Sequence, residues 1–346
     1  MSPTKILTIV GITGNQGSSV AHRFLQDPNY HIRGITRNPS SPAAQTLAQK
    51  GIKIIPADLD DVSSLKTAFA GSTHIFSVTN YWEPFFRTDY RQQAAQQRIS
   101  CRRYAYDVER QQGQNIADAA ASTVDTLDEN GFIASTLSHA RKASKGVFQE
   151  LYHFDAKADI FPNYVQEKHP RLAQKMSCVQ TGFFMTSHKL VPDAYFHHAD
   201  DGSCEMAFPT APHSPVPHFD VNADMGTFVY AVSQMPPRKR YLAEGTTCSW
   251  SEYLALWSKV TSMEASYRQI SLQELIEGTP DKEFGREVGD MLLYSTSPGY
   301  DGGDERLLRA VDIRKAGIEC PMTTLEEFME KEDWSAVLQK FGPGTQ

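Results

Sequence analysis

Lys5-Ile-Leu-Thr-Ile-Val10 runs straight into Gly11-Ile-Thr-Gly14-Asn-Gln-Gly17, and that junction decides how the chain folds. A strand-length apolar run meets a glycine turn, and Ser18–Gln26 follows with Val20, Phe24 and Leu25 on one helical face. The pattern predicts strand, turn and helix, the unit with which a doubly wound α/β domain holds a dinucleotide. Gly11 lets the chain leave the strand in a tight turn. Gly14 lets backbone N–H groups approach a pyrophosphate, with Ile12, Thr13, Asn15 and Gln16 between and beside the glycines, and Gly17 lets the helix lie close on the sheet. The helix N-terminus adds unpaired N–H donors and a partial positive charge.

The second apolar run, Ile32–Thr36, ends in Arg37-Asn38-Pro39-Ser40. An acidic residue at this point usually takes the ribose hydroxyls of NAD. A guanidinium there suits a 2′-phosphate instead, through a charge-assisted and often bidentate contact, with no carboxylate at the strand end to repel it. The residues therefore favour NADP(H).

The alternation continues with a helix near 41–50, a strand at 52–55, a helix at 62–70 and a strand at 74–78. Short connections between alternating elements imply a Rossmann-type parallel sheet with right-handed crossovers. Its carboxyl rim would gather Gly11–Gly17, Arg37, Asp58 and Thr79-Asn80-Tyr81. Asp58 either meets the adenine or belongs to the N-cap region of the next helix. Residues 84–115 are rich in arginine and glutamine and read as a helical insertion, a solvated arm in preference to an interface. Gly131–Leu137 reads as a buried strand, at whose end Ser135 either meets a substrate carbonyl or caps the turn. Beyond residue 180 the spacing loosens: helices are expected at 249–259 and 271–277, a mobile loop at 292–303, and a closing helix from 323 that starts near a capping box, Thr324-Leu-Glu-Glu327. The expected division is a cofactor region over 1–180 and a smaller C-terminal α+β lobe over 181–346, interleaved with the sheet.

With 346 residues and a net charge of −7, the chain can build a large α/β core and does not offer the basic surface expected of a nucleic-acid binder. No apolar run reaches the ~20 residues of a membrane span, and the N-terminal run is too short for a signal peptide. The expected setting is the cytoplasm, with passage into the nucleus if the protein acts as a regulator. The five cysteines are scattered and read as reduced thiols. His188, His197, His198, His213 and His218 fit no metal-ligand spacing, so no metal is expected.

Gly11–Gly17, Ile35-Thr-Arg-Asn-Pro39, Val78-Thr-Asn-Tyr-Trp-Glu83, Gln112-Gly-Gln-Asn-Ile-Ala-Asp-Ala-Ala120 and Tyr152-His-Phe-Asp-Ala-Lys157 together resemble the NmrA-like family. These are atypical short-chain dehydrogenases/reductases close to the isoflavone-reductase group. The resemblance implies NADP(H), with Gly11 to Gln16 on the phosphates, Arg37 on the 2′-phosphate, and Asp58 near the adenine. It puts Thr79, Asn80 and Tyr81 near the riboses, Lys157 on the nicotinamide ribose, and Phe184, Met185, Thr186 and Ser187 over the nicotinamide. Some members transfer hydride to enones, quinones or related aromatic compounds, while others sense NADP(H) and bind regulatory protein partners without known turnover.

Short-chain dehydrogenases use Tyr-x-x-x-Lys, which puts both side chains on one helical face. Here the residue four before Lys157 is His153. Either His153 donates the proton, since histidine titrates near neutrality, or Lys157 acts alone through the ribose hydroxyl and His153 is bonded to backbone. Tyr164-Val-Gln-Glu-Lys168 also fits the spacing, but it follows Pro162, which breaks a helix, and reads as coincidence. The expected reaction is NADPH-dependent reduction of a small apolar carbonyl, enone or quinone-type compound, with Phe85, Phe86, Phe183, Phe184 and Tyr294 as candidate pocket walls. The competing expectation is a redox sensor without catalysis.

Overall fold

The computed structural model describes residues 5–199 and 203–341. Strands β1 (Lys5–Ile9), β2 (Tyr30–Thr36), β3 (Lys53–Pro56), β4 (His74–Ser77), β5 (Phe132–Thr136) and β6 (Met176–Thr181) join a further strand, Arg240–Ala243. From one edge the order is Arg240–Ala243, β6, β5, β4, β1, β2, β3, and every neighbouring pair is parallel. This is the Rossmann-type sheet the alternation predicts. Every residue of β5 and β6 is buried, as strands covered on both faces must be. The direction of winding reverses between β1 and β4, which opens a crevice beyond their carboxyl ends.

Two cores lie on opposite faces of this sheet. On one, Val20, Ala21 and Phe24 of α1 (Asn15–Phe24) meet Phe228, Val229 and Val232 of the Val221–Ser233 helix. These two helices touch backbone to backbone: a Cβ on Gly226 would lie 2.2 Å from the Ser19 carbonyl oxygen. On the other face, Leu65 and Phe69 of α3 (Val62–Phe69) pack with Ile116, Ala117 and Ala120.

The 84–115 stretch differs from its expected form. It holds three helices, α4 (Trp82–Phe86), α5 (Thr88–Gln96) and α6 (Cys101–Ser122), reached after α2 (Pro42–Gln49) and α3. Only α5 is a largely exposed segment; α6 is no solvated arm, since Arg102, Ala105, Glu109, Gln112, Gly113, Ile116 and Ala120 are buried along it. Their spacing of three and four residues continues the apolar stripe of the helix backwards through polar residues.

The C-terminal part adds two three-stranded sheets, one of Phe183–Phe184, Val216–Phe219 and Thr246–Cys248, the other of His197–His198, Cys204–Phe208 and Ala265–Gln269. They share an aromatic core that includes Phe196, Phe208, Trp250, Tyr253, Trp257 and Trp334. The 292–303 segment is not an open loop: Leu292–Tyr294 end a helix, Tyr294 is wholly buried, Tyr300 nearly so, and Ser138 Oγ lies 2.9 Å from the Tyr294 hydroxyl. The closing helix, Leu325–Lys331, starts with the anticipated capping box between Thr324 and Glu327. No helix among the described residues is long and apolar enough to cross a membrane.

Candidate active site at the carboxyl rim

The glycine turn sits at the crevice. Gly11 has φ +66°, and Gly14 donates its N–H to the Gly11 carbonyl at 2.9 Å. A Cβ on Gly17 would lie 2.2 Å from the Gly11 oxygen, so only glycine lets the helix start this close to the turn. Gly11, Thr13, Gly14 and Asn15 are exposed, whereas Ile12 is wholly buried and can offer only backbone. Ser41, Asp61 and Ser100 cap α2, α3 and α6 through their side chains, but α1 has Gly14 at its N-cap and no side-chain cap. Its first N–H groups are thus left for an anion. Nearby, Gln16 Oε1 is buried and lacks a partner. The uncapped N-terminus of α1 fits a pyrophosphate; Gln16 Oε1, itself an acceptor, adds nothing to that fit.

Arg37 leaves the end of β2 half exposed, and its Nη2 donates to Glu83 Oε1 at 2.9 Å. The strand end carries no carboxylate, but α4 brings one to it from 46 residues away, which the sequence reading did not anticipate. Asp58 Oδ1 accepts the Asp60 N–H at 3.0 Å. The side chain that caps α3 is Asp61, so Asp58 is not the N-cap. Asn80 is exposed and accepts the Trp82 N–H, starting α4. The Tyr81 ring is buried and its hydroxyl donates to the Arg102 carbonyl at 3.1 Å, pointing away from solvent. Burial holds that phenol protonated, well above its usual pKa.

Further along the rim stands a carboxylate that sequence reasoning missed. Glu109 of α6 is wholly buried; its Oε1 accepts Thr79 Oγ1 at 2.6 Å and also the Lys157 ammonium. Its Oε2 is buried without a partner. Lys157, on the Tyr152–Ala158 helix, keeps 12 % of its side chain exposed, while its ammonium is paired with buried Glu109. The helix is broken soon after it, with non-helical φ/ψ at Phe161, as Pro162 foretells.

His153, one turn before Lys157, is tied inward. Its backbone N–H and its Nδ1 both lie on Glu287 Oε1, at 2.8 and 2.6 Å. Glu287 Oε2 takes Arg102 Nε at 2.7 Å, and the rings of Tyr81, Trp82 and Phe154 close around the imidazole. Burial alone would raise the Glu287 carboxyl, but His153 and Arg102 outweigh it and hold it below its ordinary range. A buried ion cluster thus joins α6, the lysine helix and the Lys282–Tyr294 helix.

Phe184, Thr186 and Ser187 follow β6 and are half buried, while Met185 is buried in the aromatic core. Phe85, Phe86, Phe183, Phe184 and Tyr294 do not line one pocket. Phe85 packs with Tyr81, Phe183 and Tyr294 belong to the C-terminal core, Phe184 leans on the sheet core, and Phe86 is exposed. Ser135 is buried in β5 opposite Val179. Tyr164 is bonded to Asp118 and Lys168 to Glu167, so that pair lies off the site.

A doubly wound sheet with an open glycine rim defines a Rossmann-type, dinucleotide-binding class of protein. The chain belongs to the NmrA-like family, whose model matches residues 3–329. An NmrA-like family domain-containing oxidoreductase of Aspergillus hancockii is 46% identical over 84 residues, a match spanning 24% of this chain and 25% of that protein. Among solved structures, the negative transcriptional regulator NmrA in complex with NADP aligns with TM-score 0.68 at 18% identity, over 95% of both chains. The NADPH-dependent quinone oxidoreductase QOR2 of Escherichia coli, complexed with NADPH, aligns with TM-score 0.64 at 18% identity, over 93% of this chain and 98% of that one. The fold is therefore shared by a regulator and a reductase.

Proposed function

We propose that this chain is an NADPH-dependent oxidoreductase that reduces a small apolar carbonyl, enone or quinone-type compound at the rim of the sheet. The reading is supported by relatives named oxidoreductases and by the fit of an uncapped α1 and Arg37 to a phosphorylated dinucleotide. The observation that carries it is the Lys157 ammonium, held by buried Glu109 beside Thr79, on a side chain that is not fully enclosed. Residues 1–180 then hold the cofactor, and 181–346 shape the space for substrate.

Bound NADPH supplies a hydride. Gly11 to Gln16 fix the phosphates with backbone N–H groups, and Thr79 with Asn80 sets the floor under the riboses. Lys157 Nζ holds a ribose hydroxyl and keeps a proton available at the oxygen that gains negative charge on reduction. Glu109 holds that ammonium in place. Phe184, Thr186 and Ser187 cover the nicotinamide and limit water at the reacting carbon.

Purified protein offered NADPH and a panel of enones and quinones should oxidise NADPH over many turnovers. Lys157→Met should lower kcat by about 100-fold with the protein still folded. A second reading, an NADP(H) sensor acting through a protein partner, is favoured by one observation: His153 is occupied by Glu287 and walled by aromatic rings. It gains if NADPH binds tightly and no acceptor is reduced, and it falls if turnover depends on Lys157.

A further inference from the structure

Helix α4 carries a carboxylate onto the guanidinium that stands where the 2′ position of a dinucleotide would lie. Arg37 Nη2 and Glu83 Oε1 are 2.9 Å apart, and the same Glu83 oxygen lies 3.8 Å from Arg87 Nη1. All three side chains are on the surface, with 52 %, 33 % and 34 % exposure for Arg37, Glu83 and Arg87, so their pairing can change without disturbing the core. Arg87 is itself fixed: its Nε donates to Asp89 Oδ1 at 3.0 Å, and its guanidinium lies 3.7 Å over the Tyr90 ring.

We infer that Glu83 sets the cofactor preference of the site, occupying Arg37 when no 2′-phosphate is present and passing to Arg87 when one arrives. The inference rests on the dinucleotide reading above. A carboxylate and a 2′-phosphate at contact distance from one guanidinium repel each other, so the phosphate takes Arg37 only by displacing Glu83. A 2′-hydroxyl makes no such demand; it can donate to the Glu83 carboxylate and leave the ion pair whole. Glu83 thus weakens the phosphorylated cofactor relative to a site with a free arginine and leaves the unphosphorylated one unhindered. Arg87, in extended conformation just past the end of α4, receives the displaced carboxylate without unwinding the helix, since its Nη1 already lies 3.8 Å from the same oxygen.

The consequence is a preference for NADP(H) that is moderated rather than maximal. It is also sensitive to salt, because exposed pairs are screened.

The test is calorimetric titration of the full chain with NADP⁺ and NAD⁺, using wild type, Glu83→Gln, Arg37→Ala and the double variant. Glu83→Gln should lower the Kd for NADP⁺ by about five- to tenfold, as expected for losing an exposed competitor and its repulsion. The Kd for NAD⁺ should stay the same or rise. The gain should vanish in the Arg37→Ala background and shrink at ~1 M salt. An unchanged NADP⁺ Kd in Glu83→Gln overturns the inference, as does an equal gain for NAD⁺, which would mark Glu83 as a general repeller of the cofactor. If wild type binds NADP⁺ and NAD⁺ equally and Arg37→Ala changes neither, Arg37 is not at the 2′ position and the inference is lost while dinucleotide binding stands. If wild type binds neither, the dinucleotide reading itself falls and takes this inference with it.

Discussion

The two ends of the rim are built on opposite principles. At the Gly11–Gly17 end Gly11, Thr13, Gly14 and Asn15 are exposed, and the helix has no side-chain cap. At the Lys157 end the polar groups are buried and bound to each other: Glu109 to Thr79 and Lys157, Glu287 to His153 and Arg102. The first arrangement leaves the helix dipole and free N–H groups to whatever anion arrives. The second fixes side chains in place before anything binds, since a buried charge is tolerable only where its partners already stand. Binding strength is thus built into the open end, and geometry into the closed one.

The largest effect should come from breaking the closed end. Glu287→Ala removes the carboxylate that holds both Arg102 and His153 and leaves Arg102 only the looser contacts to Asp290 at 3.5 Å and Glu150 at 3.6 Å, so urea unfolding should show a loss of about 3 kcal/mol. A loss below ~1 kcal/mol would mean that the cluster is hydrated and that the contrast between the two ends is weaker than drawn.

A second prediction uses acid. His218 is wholly buried beside Trp250 and Tyr253, and burial pushes its pKa down to about 4. Its imidazole therefore binds fewer protons folded than unfolded between about pH 4 and its unfolded value near 6.5, so stability falls as pH drops through that window. From pH 7 to pH 5 the loss from this group should be ~2 kcal/mol. Urea titrations of wild type and His218→Phe at both pH values test it; parallel slopes for the two proteins would remove His218 as the cause.

The smallest effect should appear at the open end. Gly14 has β-region φ/ψ and room for a Cβ, 3.4 Å from the nearest atom. Gly14→Ser should therefore cap α1 and add a few tenths of a kcal/mol in stability. Because that hydroxyl takes the donors meant for phosphate, NADP⁺ should bind more weakly even as Tm rises. Tighter binding would show that the helix N-terminus is not where the phosphates sit.

The open end was legible in the sequence because everything it needs is local. The strand, three glycines and a helix lie within twenty residues, and Arg37 closes the next strand. The closed end was not. Glu109 sits in a stretch that reads as a solvated arm, and the partners of Glu109, Glu287 and Glu83 lie 48, 134 and 46 residues away. One signal was available: Arg102, Ala105, Glu109, Gln112, Ile116 and Ala120 repeat at helical spacing in line with the apolar face of α6, which marks Arg102 and Glu109 as inward-facing charges. The aromatic residues misled for a related reason. Phe183 and Tyr294 look like pocket walls by composition, but the aromatic core of the C-terminal part buries them.

The backbone-close contact between α1 and the Val221–Ser233 helix bears on how the protein is made. The N-terminal half leaves the ribosome with Val20, Ala21 and Phe24 still uncovered, and their cover is not synthesised until residue 233. The sheet edge beside β6 waits longer, for Arg240–Ala243. Helix α1 thus emerges well before the helix that seats it, so a nascent chain stalled near residue 180 would present a sticky helix face and an unpaired edge strand.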